Sequence, residues 1–154
     1  MNAIDILVND HKTVKKLLEE LASTTERAVK KRSELLGKLK YELELHTSLE
    51  EEILYPAFKQ AGKKEEAVMY YEAKEEHRAV DSLVLPDLMN TETGTVEFSG
   101  RVKVMKELLE HHIEEEESEM FPKVEELFDK ARLEELGQQM EQYKKQYKGA
   151  QHAA

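Results

Sequence analysis

Apolar residues recur at helical spacing along almost the whole chain, and no stretch keeps the two-residue alternation of a half-buried strand. Ile4, Leu7, Val14, Leu18 and Leu21 form one stripe, which predicts a first helix from about Ala3 to Ala28. The basic cluster Lys30, Lys31, Arg32 marks a turn, with Ser33 as the cap of the next helix. That second helix runs through Leu35, Leu36, Leu39, Leu43 and Ile53 to about Gln60, and Gly62 ends it. A third spans about Lys63 to Pro86 or a little beyond, followed by a loop over Asn90 to Gly94. The fourth carries Val102, Met105, Leu109, Ile113 and Val124. A short fifth segment, Leu133 to about Tyr147, has a weaker stripe of Leu136, Met140 and Tyr143. Residues 149–154 read as a flexible tail and His152 within it as incidental. Pro56 and Pro122 each remove a backbone donor late in a helix and are expected to kink or end it. Four long helices on short turns predict an all-α, antiparallel up-down-up-down four-helix bundle over residues 1–148, with a short C-terminal fifth helix.

An internal repeat sharpens this picture. His11 and His77 lie 66 residues apart, as do His46 and His112, Glu50 and Glu116, and Pro56 and Pro122. Apolar neighbours keep the offset without a gap: Val14 with Val80, Leu43 with Leu109, Leu54 with Met120, Tyr55 with Phe121. The chain reads as a duplicated helical hairpin whose halves are related by a pseudo-twofold axis. At about 100° per residue, His46 and Glu50 fall within the apolar face of the second helix, and His11 and His77 on those of the first and third. Of the adjacent pair on the fourth helix, His112 faces inward with Glu116 and His111 points nearly opposite. Only His112 and Glu116 keep the offset, so His111 reads as a surface or supporting residue. Glu114, Glu115 and Glu117 read as a solvated acidic face.

Composition narrows the chemistry. The chain has no cysteine, which excludes a disulfide framework, a thiolate metal site and a cysteine nucleophile. Thirty-three acidic residues against 23 basic ones give a formal charge of −10, so nucleic acid and anionic membrane are not expected partners. Asp5, Asp10 and Lys12 interrupt any apolar run after Met1, and a cytoplasmic protein is expected.

A lone histidine on an apolar face is usually a hydrogen-bonded core residue, and a His/Glu pair four residues apart is often structural. Six such residues in one core are different. Two carboxylates and four imidazoles buried without compensation would cost several kcal/mol per ion, and no inward lysine or arginine sits at matching positions. A bound metal supplies the missing positive charge. Six protein ligands exceed what one tetrahedral zinc needs, and two carboxylates on opposite helices favour a dinuclear centre, with mononuclear iron or zinc still open.

The segments DHKTVKKLLEEL around His11, HTSLEEEILYP around His46, EEH ending at His77 and HHIEEEESEMFPKVEEL around His112 resemble the hemerythrin-like, HHE cation-binding family, in its single-domain bacterial form. The resemblance covers residues 3 to about 145. It implies a non-haem di-iron centre with a bridging oxo or hydroxo group, held by His11, His46, Glu50, His77, His112 and Glu116, with Glu50 and Glu116 as bridges. Zinc or manganese are alternatives. Oxygen carriers of this family have a second histidine one turn away on the third helix, where this chain has Ala73 and Asp81. Two octahedral irons offer about twelve positions, of which bridges take about six, so four histidines leave two open, one per metal. Tyr70, Asp81 or water could fill them. The expected function is binding, sensing or reaction of a small ligand such as oxygen, peroxide or nitric oxide, with any turnover centred on the metal, for example peroxide removal. The alternative is an iron or zinc binding, storage or sensing protein without turnover; a metal-free interaction module is a third class.

Overall fold

Local capping decides where the helices begin. α1 (Ala3–Ala22) starts at Asn2, whose side-chain oxygen accepts from the Asp5 amide at 2.9 Å. It stops short of Ala28 because the Ser23 and Thr24 hydroxyls turn back onto the carbonyls of Glu19 and Leu21. α2 occupies residues 29–61, α3 residues 64–89 and α4 residues 96–127, the last started by Thr95 accepting from the Phe98 amide. α5 (Lys130–Ala153) is longer than its stripe. The computed structural model describes the backbone of residues 1–153 and the side chains of residues 1–150. The reading of His152 as incidental, and the side chains of the expected tail beyond Ala150, lie outside the described residues.

The basic cluster is not a turn. Lys30, Lys31 and Arg32 sit in the first turns of α2, which begins at Val29, and Ser33 caps nothing. The reason is Arg32, which is 1% exposed. Its guanidinium donates to the hydroxyl and carbonyl of Thr24, the carbonyls of Thr93 and Thr95, and the Ser99 hydroxyl, and lies 5.0 Å over the Phe98 ring. One arginine thus ties two loops together at one end of the bundle.

The prolines neither end nor break their helices. In α2, α3 and α4 a five-residue π turn precedes each one: Glu50–Leu54 before Pro56, Val80–Val84 before Pro86, Glu116–Met120 before Pro122. The wider turn absorbs the missing proline donor, and the α-helix then resumes. Two of these turns begin at Glu50 and Glu116.

α1 packs along both α2 and α4, and α5 lies across α1 and α2. Gly137 permits that crossing: a Cβ there would stand 2.5 Å from the Met1 carbonyl oxygen. The apolar side chains divide into two clusters. One holds Leu18, Leu35, Leu39, Leu88, Phe98 and Met105; the other holds Leu7, Leu54, Phe58, Val124, Leu136 and Met140. The inward histidines and glutamates form a polar layer between them. Among the described residues, no helix is long and apolar enough to cross a membrane.

Candidate metal centre

The six residues selected by the repeat meet in that polar layer, none more than 6% exposed. α1 contributes His11, α2 His46 and Glu50, α3 His77, and α4 His112 and Glu116. The histidines pair within each half, and the pseudo-twofold relates one pair to the other. The His11 and His46 rings lie 4.9 Å apart and those of His77 and His112 4.7 Å apart. Each carboxylate stands between the two pairs. Glu50 Oε1 is 3.1 Å from His46 Nε2 and 3.2 Å from His77 Nε2. Glu116 Oε1 is 3.2 Å from His11 Nε2 and 3.3 Å from His112 Nε2. The ligand atoms of His11, His46, Glu50 and Glu116 lie within 4.8 Å of one another, as do those of Glu50, His77 and His112.

All four imidazoles present Nε2 inward and engage a carboxylate through Nδ1. His11 donates to Glu117 at 2.6 Å, His46 to Asp10 at 3.0 Å, His77 to Glu51 at 2.9 Å and His112 to Glu76 at 2.6 Å. These partners fix ring orientation and free Nε2 for an inward ligand. They repeat as well: Asp10 and Glu76 are 66 residues apart, as are Glu51 and Glu117. Glu117 is therefore a supporting residue and not part of a solvated face, because α4 turns it toward His11 of α1. The offset that selected the six centre residues would also have selected these four.

Tyr55 is the other residue the sequence pattern hid. The bond from its amide to the Glu50 carbonyl closes the π turn, so Tyr55 sits above Glu50 and not about 140° around the helix. Its hydroxyl donates to Glu116 Oε2 at 2.5 Å, and its ring stacks 5.4 Å from His77. The counterpart Phe121 stacks 5.7 Å from His11 with no hydroxyl to offer. Tyr70 does not join the centre; it packs edge-on against Tyr55 and Tyr71. Asp81 lines an outer groove with Lys74 and Arg78. His111 is 65% exposed, as its projection predicts.

The electrostatics show what the cage lacks. Burial opposes charge on His46, yet Glu50, Asp10 and Glu116 raise its pKa to about 10. Burial likewise opposes charge on His77, and Glu50 and Glu51 carry it to about 9. Burial, reinforced by the charges of Glu116 and Glu50, pushes the Tyr55 phenol well above its usual value and keeps it a donor. The negative potential is thus strong enough to hold protons on buried imidazoles. Even so, His46 Nε2 and Glu50 Oε1 meet only as an ion-pair contact without hydrogen-bond geometry, and Glu50 Oε2 is buried without a hydrogen bond. Orphaned polar atoms of this kind are rare, and here they are nitrogen and oxygen donors facing one small space. That donor set fits a transition metal.

Beside the centre lies a cavity of about 20 Å³, reaching His112 and Glu116 between Met69, Ala73 and Met120. Its outer wall carries Glu72, Glu76, Glu115 and Glu119.

Comparison with known proteins agrees with this geometry. A DNA nickase of Nostoc sp. is 29% identical over 122 residues, covering 79% of this chain, which itself spans only 33% of that protein's length. An uncharacterised protein of Mycobacterium tuberculosis is 30% identical over 152 residues, covering 97% of this chain and 89% of its relative. The crystal structure of a hemerythrin HHE cation-binding domain-containing protein from Mycobacterium kansasii superposes with a TM-score of 0.82 at 32% identity, over 97% of this chain and 89% of that one. The description "Hemerythrin HHE cation binding domain" matches residues 2–124. With a family match over most of its length and a buried cage of histidines and glutamates, this chain belongs to the hemerythrin HHE cation-binding family.

Proposed function

We propose that this protein is a non-haem di-iron protein that binds, senses or reacts with a small ligand such as oxygen, peroxide or nitric oxide. His11 and His46 would hold one iron and His77 and His112 the other, with Glu50 and Glu116 shared between them. The observation that carries this reading is the convergence of four inward Nε2 atoms on two shared carboxylates, with His46 Nε2 and both Glu50 oxygens lacking any other partner. Iron bound there supplies one-electron redox chemistry toward such ligands.

The chain's own residues shape that chemistry. Glu117, Asp10, Glu51 and Glu76 hold the four Nδ1 protons, which sets each tautomer and raises the basicity of Nε2. Tyr55 Oη holds a proton at Glu116 Oε2, fixing that carboxylate on one side of the pseudo-twofold only. The apolar clusters on either side exclude bulk water. The cavity of about 20 Å³ admits one water-sized molecule, which restricts ligands to a few atoms. The protein works in the cytoplasm, and no acid–base constellation separate from the centre is assigned a role.

The test is iron content and near-ultraviolet absorption of anaerobically purified, iron-supplemented protein, before and after exposure to oxygen, peroxide and nitric oxide. Two irons per chain, with a ligand-dependent spectral change, are expected. Fewer than one iron per chain, or a loaded centre whose spectrum no ligand alters, contradicts the reading.

A further inference from the structure

The pseudo-twofold makes a second demand that only one half of the chain meets. Asp10 and Glu76 are equivalent: each accepts from the Nδ1 of a centre histidine with one oxygen. The other oxygen of Asp10 accepts from Lys144 Nζ at 2.6 Å, a cation delivered by α5. Among the described residues, Glu76 has no lysine or arginine in that place. Its outer oxygen, Oε2, lies 4.0 Å from His111 Nε2, beyond hydrogen-bond reach.

At the positions equivalent to His111 and Glu115 the first half has Leu45 and Leu49, both buried. The second half therefore replaces two leucines with an imidazole and a carboxylate one turn apart, beside a carboxylate that no lysine or arginine neutralises. The ligand atoms of Glu76, His111 and Glu115 lie within 4.8 Å of one another, and His111 Nε2 is 3.1 Å from Glu115 Oε1. Glu76 and Glu115 also line the cavity that reaches His112 and Glu116, and its wall contains no lysine or arginine.

We propose that Glu76, His111 and Glu115 form an outer site for a divalent transition-metal ion, at the mouth of the route by which metal reaches the buried centre. The bound cation occupies the place that Lys144 fills on the other side. One imidazole with two carboxylates suits zinc, iron(II), cobalt(II) or manganese, and such an ion sits about 2.0–2.2 Å from each donor once the exposed His111 side chain rotates onto it. The site itself stands on the broken repeat; its role as a port rests on the dinuclear reading above.

The experiment titrates the tag-free, metal-free full chain with zinc ion, beside His111→Ala/Glu115→Gln and His111→Lys. Two tight equivalents and a third, weaker one are expected in the unaltered protein. Both variants keep the two tight equivalents and lose the third, His111→Lys because its ammonium takes the cation's place. The port is read separately, as the rate at which the absorption of cobalt(II) in the buried pair grows after mixing. Because a site of opposite charge concentrates its ligand, the double variant loads at least about tenfold more slowly. A third equivalent that survives in both variants, or one never seen, overturns the outer site; equal loading rates overturn the port. Fewer than two tight equivalents in all three proteins contradicts the buried pair instead, and the outer equivalent is still read by its loss in the variants.

Discussion

The two flanks of the bundle descend from one repeated hairpin and have become opposites. On the flank under α5, the positions beside the centre are Ala3, Ile6, Leu45 and Leu49, all buried, three of them (Ala3, Ile6 and Leu49) in one cluster with Leu133, Leu136 and Met140, and Lys144 neutralises Asp10. On the other flank the same positions are Met69, Glu72, His111 and Glu115, partly exposed, around a small cavity. Within the centre, Phe121 faces His11 where Tyr55 faces His77. Keeping the six centre residues while diversifying their surroundings yields one sealed side and one approachable side. In a symmetric pair of metal sites, reactivity toward an outside ligand would be shared; on the function proposed above, the cavity beside His112 and Glu116 would direct it to the His77/His112 side.

The largest effect expected is from Glu50→Ala/Glu116→Ala. It removes both carboxylates that link the flanks, and elemental analysis should find neither metal retained. A variant that still holds two ions would remove the central role of the glutamates.

Next come the Nδ1 carboxylates, whose loss in comparable sites weakens metal binding about 10–100-fold. Asp10→Ala and Glu76→Ala both fall in that range, but only Asp10→Ala also releases Lys144 and so lowers the melting temperature of the metal-free protein. Equal melting for the two variants would show that the salt bridge to α5 does not distinguish the flanks.

Gly137→Ala is expected to cost about 1–3 kcal/mol by forcing α5 away from the start of α1. Its readout is the denaturant midpoint, together with faster hydrogen exchange in α5 and unchanged exchange at the α3–α4 flank.

A smaller, graded effect is the pH dependence of the metal-free protein. His46 and His77 are raised to about 10 and about 9, above the ordinary 6.5. Their contribution to stability is therefore complete below about pH 6.5 and is lost as pH rises through 9 to 10. Metal affinity runs the other way, since each ion must displace those protons, and tightens over the same range. Melting temperatures of metal-free protein between pH 6.5 and 10 check the sign. A flat or rising profile contradicts it.

Much of this was legible in the sequence for physical reasons. The helical stripes announce the bundle because burial enforces the 3.6-residue period, and the 66-residue offset picks out the six centre residues because duplication copies ligands with their spacing. Asp10, Glu51, Glu76 and Glu117 obey the same offset but were camouflaged, since acids are abundant in a chain with 33 of them. Tyr55 was hidden by its π turn, which departs from the 100° step on which helical projection depends. Arg32 was hidden because charge patterning treats an arginine as exposed, whereas five neutral oxygens and an aromatic face can satisfy one in the interior. The crossing of α5 depends on what Gly137 lacks, and no periodicity records that.

Anomalous diffraction at the iron edge, from crystals of iron-loaded protein, examines the core assertion most directly. Two peaks are predicted, one beside His11 and His46 and one beside His77 and His112, with the Glu50 and Glu116 carboxylates spanning both. A single peak, or density placed away from those glutamates, would contradict it.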